Sequence, residues 1–488
     1  MRRFPSKFLS TLGLVMGCHA FSFAQTTTPT ETVWTLQQCI QHGVQNNLQV
    51  RQSGLQVEQD ALNVNQARAN RLPSLNGSAS YGSSFGFFND PITYEQRNEQ
   101  NQSSNFSLQA SVPLFSGLQI QNTIKRNRLD LQATELDQKR AQNDLMLNIV
   151  TAYMQILLNQ ELLKTNQERY NLTKIQAERT EKLFKAGSVP ESNVLELNAQ
   201  LASDELNIIT AQNQIELAEL QLIQLLNLEN AQPANFAIEI PTLPDPDQSV
   251  IAFDAQQVYE TAEGIMPEIK SNQIRVESAL KTIDIAKGAY YPTLSLGGSM
   301  STRFSSGTPF FTIGPLQPVT ETIGNVNGDP SLPVTYTYLT RQRTPTTYKY
   351  FDQLSDNLGQ YVGVSLNVPI LNAFRTRNNV QLSRIGLRSA ELNTAIAKNQ
   401  LRQNIAQAYT DAVGAQKRFV AARKQLESFE QSFRNAEIRL NNGLINSVDF
   451  NVARNNYVKA QSDIIQAKYD YIFRLKFLEF YQGKTITL

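Results

Sequence analysis

Four stretches of the chain alternate between apolar and polar positions. Residues 74–88 place Leu75, Gly77, Ala79, Tyr81, Phe85 and Phe87 on one face, with Asn76, Ser78, Ser80, Gly82 and Ser84 on the other. Residues 104–115 set Phe106, Leu108, Ala110, Val112 and Leu114 against Ser107, Gln109 and Ser111. Residues 293–305 set Leu294, Leu296, Met300 and Phe304 against Ser295, Ser299 and Ser301. Residues 358–371 set Val362, Val364, Leu366, Val368 and Ile370 against Tyr361, Gly363, Ser365 and Asn367. A period of two predicts strands with one apolar and one polar face.

Elsewhere the period lengthens. Leu401, Ile405, Ala408, Ala412, Ala415, Phe419, Ala422, Leu426, Phe429, Phe433, Ala436 and Leu440 are spaced alternately by four and three. That 3.5-residue repeat marks left-handed coiled-coil packing. It predicts a helix over 372–442, and its counterpart over 117–186 keeps the register through Leu145, Ile149, Ala152, Ile156 and Leu163 before turning more polar. Roughly 70 residues at 1.5 Å each make about 100 Å, far beyond the usual three or four turns. Both helices end at a glycine, Gly187 or Gly443, suited to the left-handed closing position. Ser188-Val189-Pro190-Glu191 then reads as a capping box, and Asn446-Ser447-Val448-Asp449 as a looser start signal. Return helices follow over 190–229 and 447–481, and further helices are expected over 33–71 and 254–287. Residues 230–253 form a Pro-rich linker with room for a short strand at 236–240.

The plan is used twice. Val112-Pro113-Leu114-Phe115 returns as Val368-Pro369-Ile370-Leu371, Ala152-Tyr153 as Ala408-Tyr409, and Gly187 as Gly443, all at an offset of 256. Leu72-Pro73-Ser74-Leu75 returns as Tyr291-Pro292-Thr293-Leu294 at an offset of 219. The 37-residue difference lies between the strands, so the second inter-strand loop, 306–357, is longer by that amount and rich in Thr, Pro and Tyr. The structural repeats are 25–253 and 254–488, the latter closing on a tail at 482–488. Pro73, Pro113, Pro292 and Pro369 stand at the four helix–strand junctions, as expected of a residue that ends strands and biases its predecessor away from helix.

Residues 1–24 read as a secretory signal, with basic Arg2, Arg3 and Lys7, an apolar core, and Ser22-Phe23-Ala24 before Gln25. A second reading puts a lipoprotein cleavage site before Cys18, which Met16 fits poorly. Cleavage before Gln25 leaves one cysteine, Cys39, and one histidine, His42, which excludes a disulfide framework within one chain and zinc sites built on three or four N/S ligands. The net charge of +1 is interspersed and suggests no nucleic-acid surface. No cluster of titratable residues or nucleotide loop points to an enzyme. No apolar run reaches the roughly 18 residues of a membrane-spanning helix.

Only helices or closed barrels satisfy their backbone inside a bilayer, and these helices are too polar, so the strands are left to cross it. Their length and alternation fit outer-membrane strands, and aromatics gather toward the loop ends at Phe85, Phe87, Phe88, Phe304, Phe310, Phe311, Tyr348, Tyr350 and Phe351. Four strands cannot close a barrel, since known barrels start at about eight. Other chains must complete the wall, with two, three or four copies equally open on this ground. The rival readings are a periplasmic coiled-coil adaptor and a structural coiled coil without a pore. Neither accounts for two copies of amphipathic strands.

The duplicated strand–helix plan, the Pro-marked junctions and the Gly-centred reversals resemble the TolC family of outer-membrane efflux proteins over essentially the whole mature chain. The ending Leu475-Lys476-Phe477-Leu478-Glu479-Phe480-Tyr481-Gln482-Gly483-Lys484 and cleavage before Gln25 are similar to Bacteroidetes members. The resemblance implies a mainly α fold with membrane β: a homotrimer whose 12-stranded barrel continues into a periplasmic α-helical barrel with a small equatorial region. It implies passive export of drugs, metals or proteins, in multidrug efflux or type I secretion. The implied partners are a periplasmic adaptor (membrane fusion) protein, an inner-membrane pump of RND or ABC type and outer-membrane lipid. It also implies no cofactor. Loop 306–357 is expected outside the cell, because every helix is tethered to the opposite strand ends.

Residue by residue, Gly187, Ser188, Val189, Gly443, Leu444 and Ile445 match the family's tunnel-tip turns, which meet the adaptor. Asp449 matches an acidic position of the periplasmic constriction, although an acid in a helix's first turn also suits the macrodipole. The sequence departs from the Escherichia coli member, whose second acid is matched by Val452 and whose gate arginine is matched by Ile445. Closure here is expected to rest more on packing around Leu440 and Ile445 than on an electrostatic lock.

Overall fold

Each alternating stretch is a strand in the computed structural model, which describes residues 33–89, 96–229, 231–241, 254–307, 310–484 and 486. The signal sequence, Cys18 and most of the 230–253 linker lie outside the described residues. The strands are β2 (Ser74–Asn89), β3 (Gln96–Ser116), β5 (Thr293–Ser305) and β8 (Gly359–Asn367). They form one antiparallel sheet in the order β2-β3-β5-β8. Its register aligns the two expected faces across all four strands, for Ala79 pairs with Phe106 and Phe106 with Thr302, while Ser78 pairs with Ser107 and Ser107 with Ser301.

Three strand boundaries depart from expectation. β3 begins well before 104, because its outer half pairs with β2 alone, as far as Asn89 opposite Gln96. Pro113 lies inside β3 rather than at its end, at a register shift between Pro113 and Phe115 that absorbs the missing N–H donor. β8 stops at Asn367, two residues before Pro369, so 368–371 are not part of the strand. The loop 306–357 is built, not irregular. β6 (Phe310–Asn325) and β7 (Pro333–Thr346) pair as a separate antiparallel ribbon, and a short helix, α7 (Tyr350–Asp356), leads back to β8.

The chain divides into two units, one holding residues 1–43, 149–244 and 487–488, the other 44–148 and 245–486. In the second, α8 (Arg375–Asn441) and α9 (Ser447–Tyr481) pack through Ala412, Ala415, Phe419 and Ala422 against Ala467, Tyr471 and Leu478. Every seam position named from 401 to 440 is buried or half-buried, which confirms the 3.5-residue register. Alanines bring the helix axes close, and Phe419 stacks on Tyr471 with centroids 6.3 Å apart. Arg474 closes the helix pair through Asp411 at 2.7 Å.

In the first unit, α3 (Gln119–Lys185) packs its Ile149, Tyr153 and Ile156 with Leu222 and Leu226 of α4 (Glu191–Leu226), all five essentially inaccessible to water. Gly43 of α1 (Leu36–Asn46) is needed for close approach, because a Cβ there would lie 2.5 Å from Ile149 Cδ1. β1 (Val33–Trp34) pairs in parallel with β4 (Ala237–Ile238), within the segment where a strand was expected. The Tyr153 hydroxyl donates to the Glu239 carbonyl at 2.6 Å and ties this small sheet to the helices.

Two expected helices are broken. The 33–71 segment divides at Asn47, whose side chain accepts from the Gln49 and Val50 amides and caps α2 (Leu48–Ala69). The 254–287 segment divides at Met266, held extended (φ −64°, ψ 128°) by the proline that follows, giving α5 (Ala255–Ile265) and α6 (Pro267–Gly288). The more polar second half of α3 also has a structural reason. Asn159 and Asn166, one heptad apart, donate to the Gln214 and Asn207 carbonyls of α4 at 3.1 and 3.4 Å.

Candidate functional site

Both long helices close in the same way. At the end of α3, the Gly187 amide donates to the Phe184 carbonyl and the Ser188 amide to the Leu183 carbonyl, each at 2.8 Å. At the end of α8, Gly443 donates to Leu440 at 3.0 Å and Leu444 to Arg439 at 2.8 Å. This crossed pair of bonds requires a left-handed residue, and the glycines supply it with φ of 73° and 69°. Gly187, Ser188, Gly443 and Leu444 are exposed, whereas Val189 and Ile445 are half-buried. Leu444 is 68% exposed, an apolar side chain left in water at a turn closed by backbone bonds.

The start of α4 corrects one expectation. Pro190 is the cap residue, in extended conformation (φ −72°, ψ 156°) and without a side-chain cap bond, so the Ser188–Glu191 capping box does not form. The helix begins two residues later than such a box would require. The start of α9 behaves as expected, with Asn446 Oδ1 accepting from the Asp449 amide at 2.8 Å. Asp449 is exposed in the first turn and Val452 exposed in the second, while Leu440 is half-buried in the last turn of α8. Phe450 turns inward, 4% exposed, against Phe433 at 5.6 Å between ring centroids.

The sheet supplies the other surface. Its apolar face is largely exposed, with Leu75 71% and Val362 79% accessible. Such a continuous apolar surface is a binding surface or a lipid-facing one. No helix among the described residues is long and apolar enough to cross a membrane. The opposite face is hydroxylic, and Ser78 and Ser107 hydrogen-bond to each other across β2 and β3 at 2.7 Å.

Three features escaped the sequence reading. α7 lies against the apolar face, where the Tyr350 ring meets Phe304 at 4.6 Å between centroids and its hydroxyl bonds Ser104 at 2.9 Å. Arg303 is the only charged residue on the polar face where β3 and β5 pair. Strand alternation could have singled out Arg303. Two consecutive left-handed residues also turn each strand into its long helix, Gly117-Leu118 and Ala373-Phe374, again 256 apart.

An amphipathic sheet segment too narrow to close, joined to helices of 67 residues, defines an outer-membrane channel protein. The chain belongs to the outer membrane efflux protein family, whose model matches residues 39–228 and 325–483. It is 23% identical to toxin and drug export protein A of Aggregatibacter actinomycetemcomitans over 449 residues, 90% of this chain and 83% of that protein. It is 24% identical to outer membrane protein TolC of Escherichia coli K12 over 284 residues, 56% of this chain and 55% of that one. The fold is similar to the crystal structure of the Campylobacter jejuni CmeC outer membrane channel, with a TM-score of 0.69, 17% identity, and coverage of 98% of this chain and 94% of that one. The protein is thus an outer-membrane efflux channel.

Proposed function

We propose that three copies of this chain close a barrel of about twelve strands and form the passive exit duct of a tripartite efflux or type I secretion system. The observation that carries this reading is the four-stranded sheet, whose outermost strands β2 and β8 leave it open at both sides. In lipid such edges must pair, and the nearest source of matching strands is a second copy of the same chain. The polar face then lines the passage. Substrate arrives from an inner-membrane pump of RND or ABC type through a periplasmic adaptor, and the pump supplies the energy, so the duct performs no chemistry.

In this reading the turns at Gly187, Ser188 and Val189 and at Gly443, Leu444 and Ile445 meet the adaptor. Asp449, Leu440 and Val452 narrow the periplasmic entrance. The doubled turns, each closed by two crossed backbone bonds and exposing Gly187, Ser188, Gly443 and Leu444, support the first assignment, and the exposed position of Asp449, nine residues after Leu440 across the reversal, supports the second. Three Asp449 carboxylates around one axis would repel one another and attract cations. Electrophoresis of outer-membrane fractions tests the assembly: heat-modifiable trimer bands are expected, together with single-channel conductance in planar bilayers. A stable lone subunit in mild detergent, without conductance, would remove the duct.

A further inference from the structure

We propose that the stretch of passage enclosed by the sheet favours anions, and that Arg303 sets this preference. The inference rests on the reading that the polar face lines the pore. Along the span where β3 and β5 pair, from Ser103–Ser305 to Ser116–Thr293, every other position on that face is Ser, Asn, Gln, Gly, Pro or Thr. β8 adds Tyr361 but no charge. Arg303 therefore stands alone, as a cation that cannot lose its proton.

Three observations make Arg303 more than a solvated surface charge. Among the described residues no ion pair includes it, and its side chain is exposed on the hydroxyl-lined face opposite Asn105. The two acids of α7, Asp352 and Asp356, belong to a helix that packs on the apolar face and so stands on the lipid side of the wall. The backbone carrying Arg303 is also held firmly beyond the last β8 pair, Ser301–Gly359. There the Arg303 carbonyl accepts from Asn357 Nδ2 at 2.8 Å and the Ser305 amide donates to Gln353 Oε1 at 2.9 Å, so α7 completes the ladder that β8 leaves unfinished.

Three such arginines around the axis form a cationic ring in a span of wall that carries no other charge, the arrangement that selects anions in pores. Screening should govern its reach, since the Debye length is about 10 Å at 0.1 M salt and about 30 Å at 0.01 M. The solutes favoured in this stretch are anions, whatever the constriction at Asp449 contributes at the other end.

The test is the reversal potential of purified channels in planar bilayers under a potassium chloride gradient. Arg303→Gln should lower the chloride-to-potassium permeability ratio about two-fold at low salt and less at high salt, and Arg303→Glu should lower it further. Ser107→Arg, on the same face, should raise the ratio. Heat-modifiable trimers establish that each variant is assembled. Conducting variants with an unmoved reversal potential at low salt would overturn the role of Arg303 and leave the duct standing. Assembled protein that never conducts would overturn both.

Discussion

Asp204 of α4 and Arg169 of α3 form an ion pair, 2.8 Å from Oδ1 to Nε, in which the carboxylate is wholly shielded from water. Asp204 also accepts from Thr173 Oγ1 at 2.5 Å and from Gln200 Nε2 at 2.9 Å. The second repeat, 256 residues on, replaces Arg169, Thr173 and Asp204 with Gln425, Phe429 and Ala460. One coiled-coil seam has thus been built in two ways, ionic in one copy and apolar in the other. Removing one partner of a buried pair strands the other charge, so Asp204→Ala should cost about 3–5 kcal/mol. Combining it with Arg169→Gln and Thr173→Phe should recover most of that loss. Thermal denaturation of the trimer, followed by circular dichroism, checks both, and a triple variant as unstable as the single one would contradict the argument.

The hairpin of β6 and β7 makes up most of the length difference between the two inter-strand segments, and it pairs only with itself among the described sheets. Its outer part should be dispensable to the wall. Replacing residues 312–344 with a short Gly-Ser turn keeps the Phe310–Tyr348 stack at the base, whose centroids lie 4.4 Å apart. Trimer yield and drug export by cells carrying this deletion are expected to match the parent. Loss of trimers would mean that the ribbon helps to close the barrel.

The parts of this protein legible in its sequence are those fixed by a period. Alternation gave the two faces of the sheet, and the 4–3 spacing placed Ala412, Ala415 and Phe419 on the seam they occupy. Boundaries set by a single residue were harder. Met266 looks like a helix interior until Pro267 is read as a constraint on it, and Asn47 looks like one polar residue among many until its side chain turns back to cap α2. The left-handed pair Ala373-Phe374 carried no signal, since nothing in an Ala-Phe sequence asks for positive φ. Arg303 was visible, but its importance depends on β3 and β8 bringing no other charge to the same face, which only the register establishes.

Cys39 is completely buried, and that burial pushes its thiol up from 9.0 to about 12. The folded protein therefore holds the neutral thiol throughout the physiological range. Because the folded value lies above the unfolded one, its contribution to stability is complete below about pH 9 and is lost as the pH rises toward 12. Thiolate is the reactive form, so iodoacetamide at pH 8 should leave the native protein unmodified and alkylate it within minutes in denaturant. Mass spectrometry of the Cys39 peptide reads the result. Rapid labelling without denaturant would show that this part of the first unit opens in solution.

Leu444 offers the sharpest separation of docking from folding. Its neighbour Gly443 is constrained by φ of 69°, so substitution there mixes backbone strain with any change in contact. Leu444 contributes its amide to the Arg439 carbonyl at 2.8 Å while its side chain is 68% exposed. Leu444→Glu keeps the amide and should change the stability of the subunit by no more than about 0.5 kcal/mol. If the turn meets the adaptor through an apolar contact, burying a carboxylate there is costly, and export should fall at least tenfold, equivalent to about 1.4 kcal/mol of lost docking. Leu444→Met, similar in size and polarity, should export normally. The measurement is drug resistance in cells together with cross-linking of the adaptor and the amount of trimer in the outer membrane. Full resistance with Leu444→Glu and unchanged trimer would show that this side chain takes no part in docking.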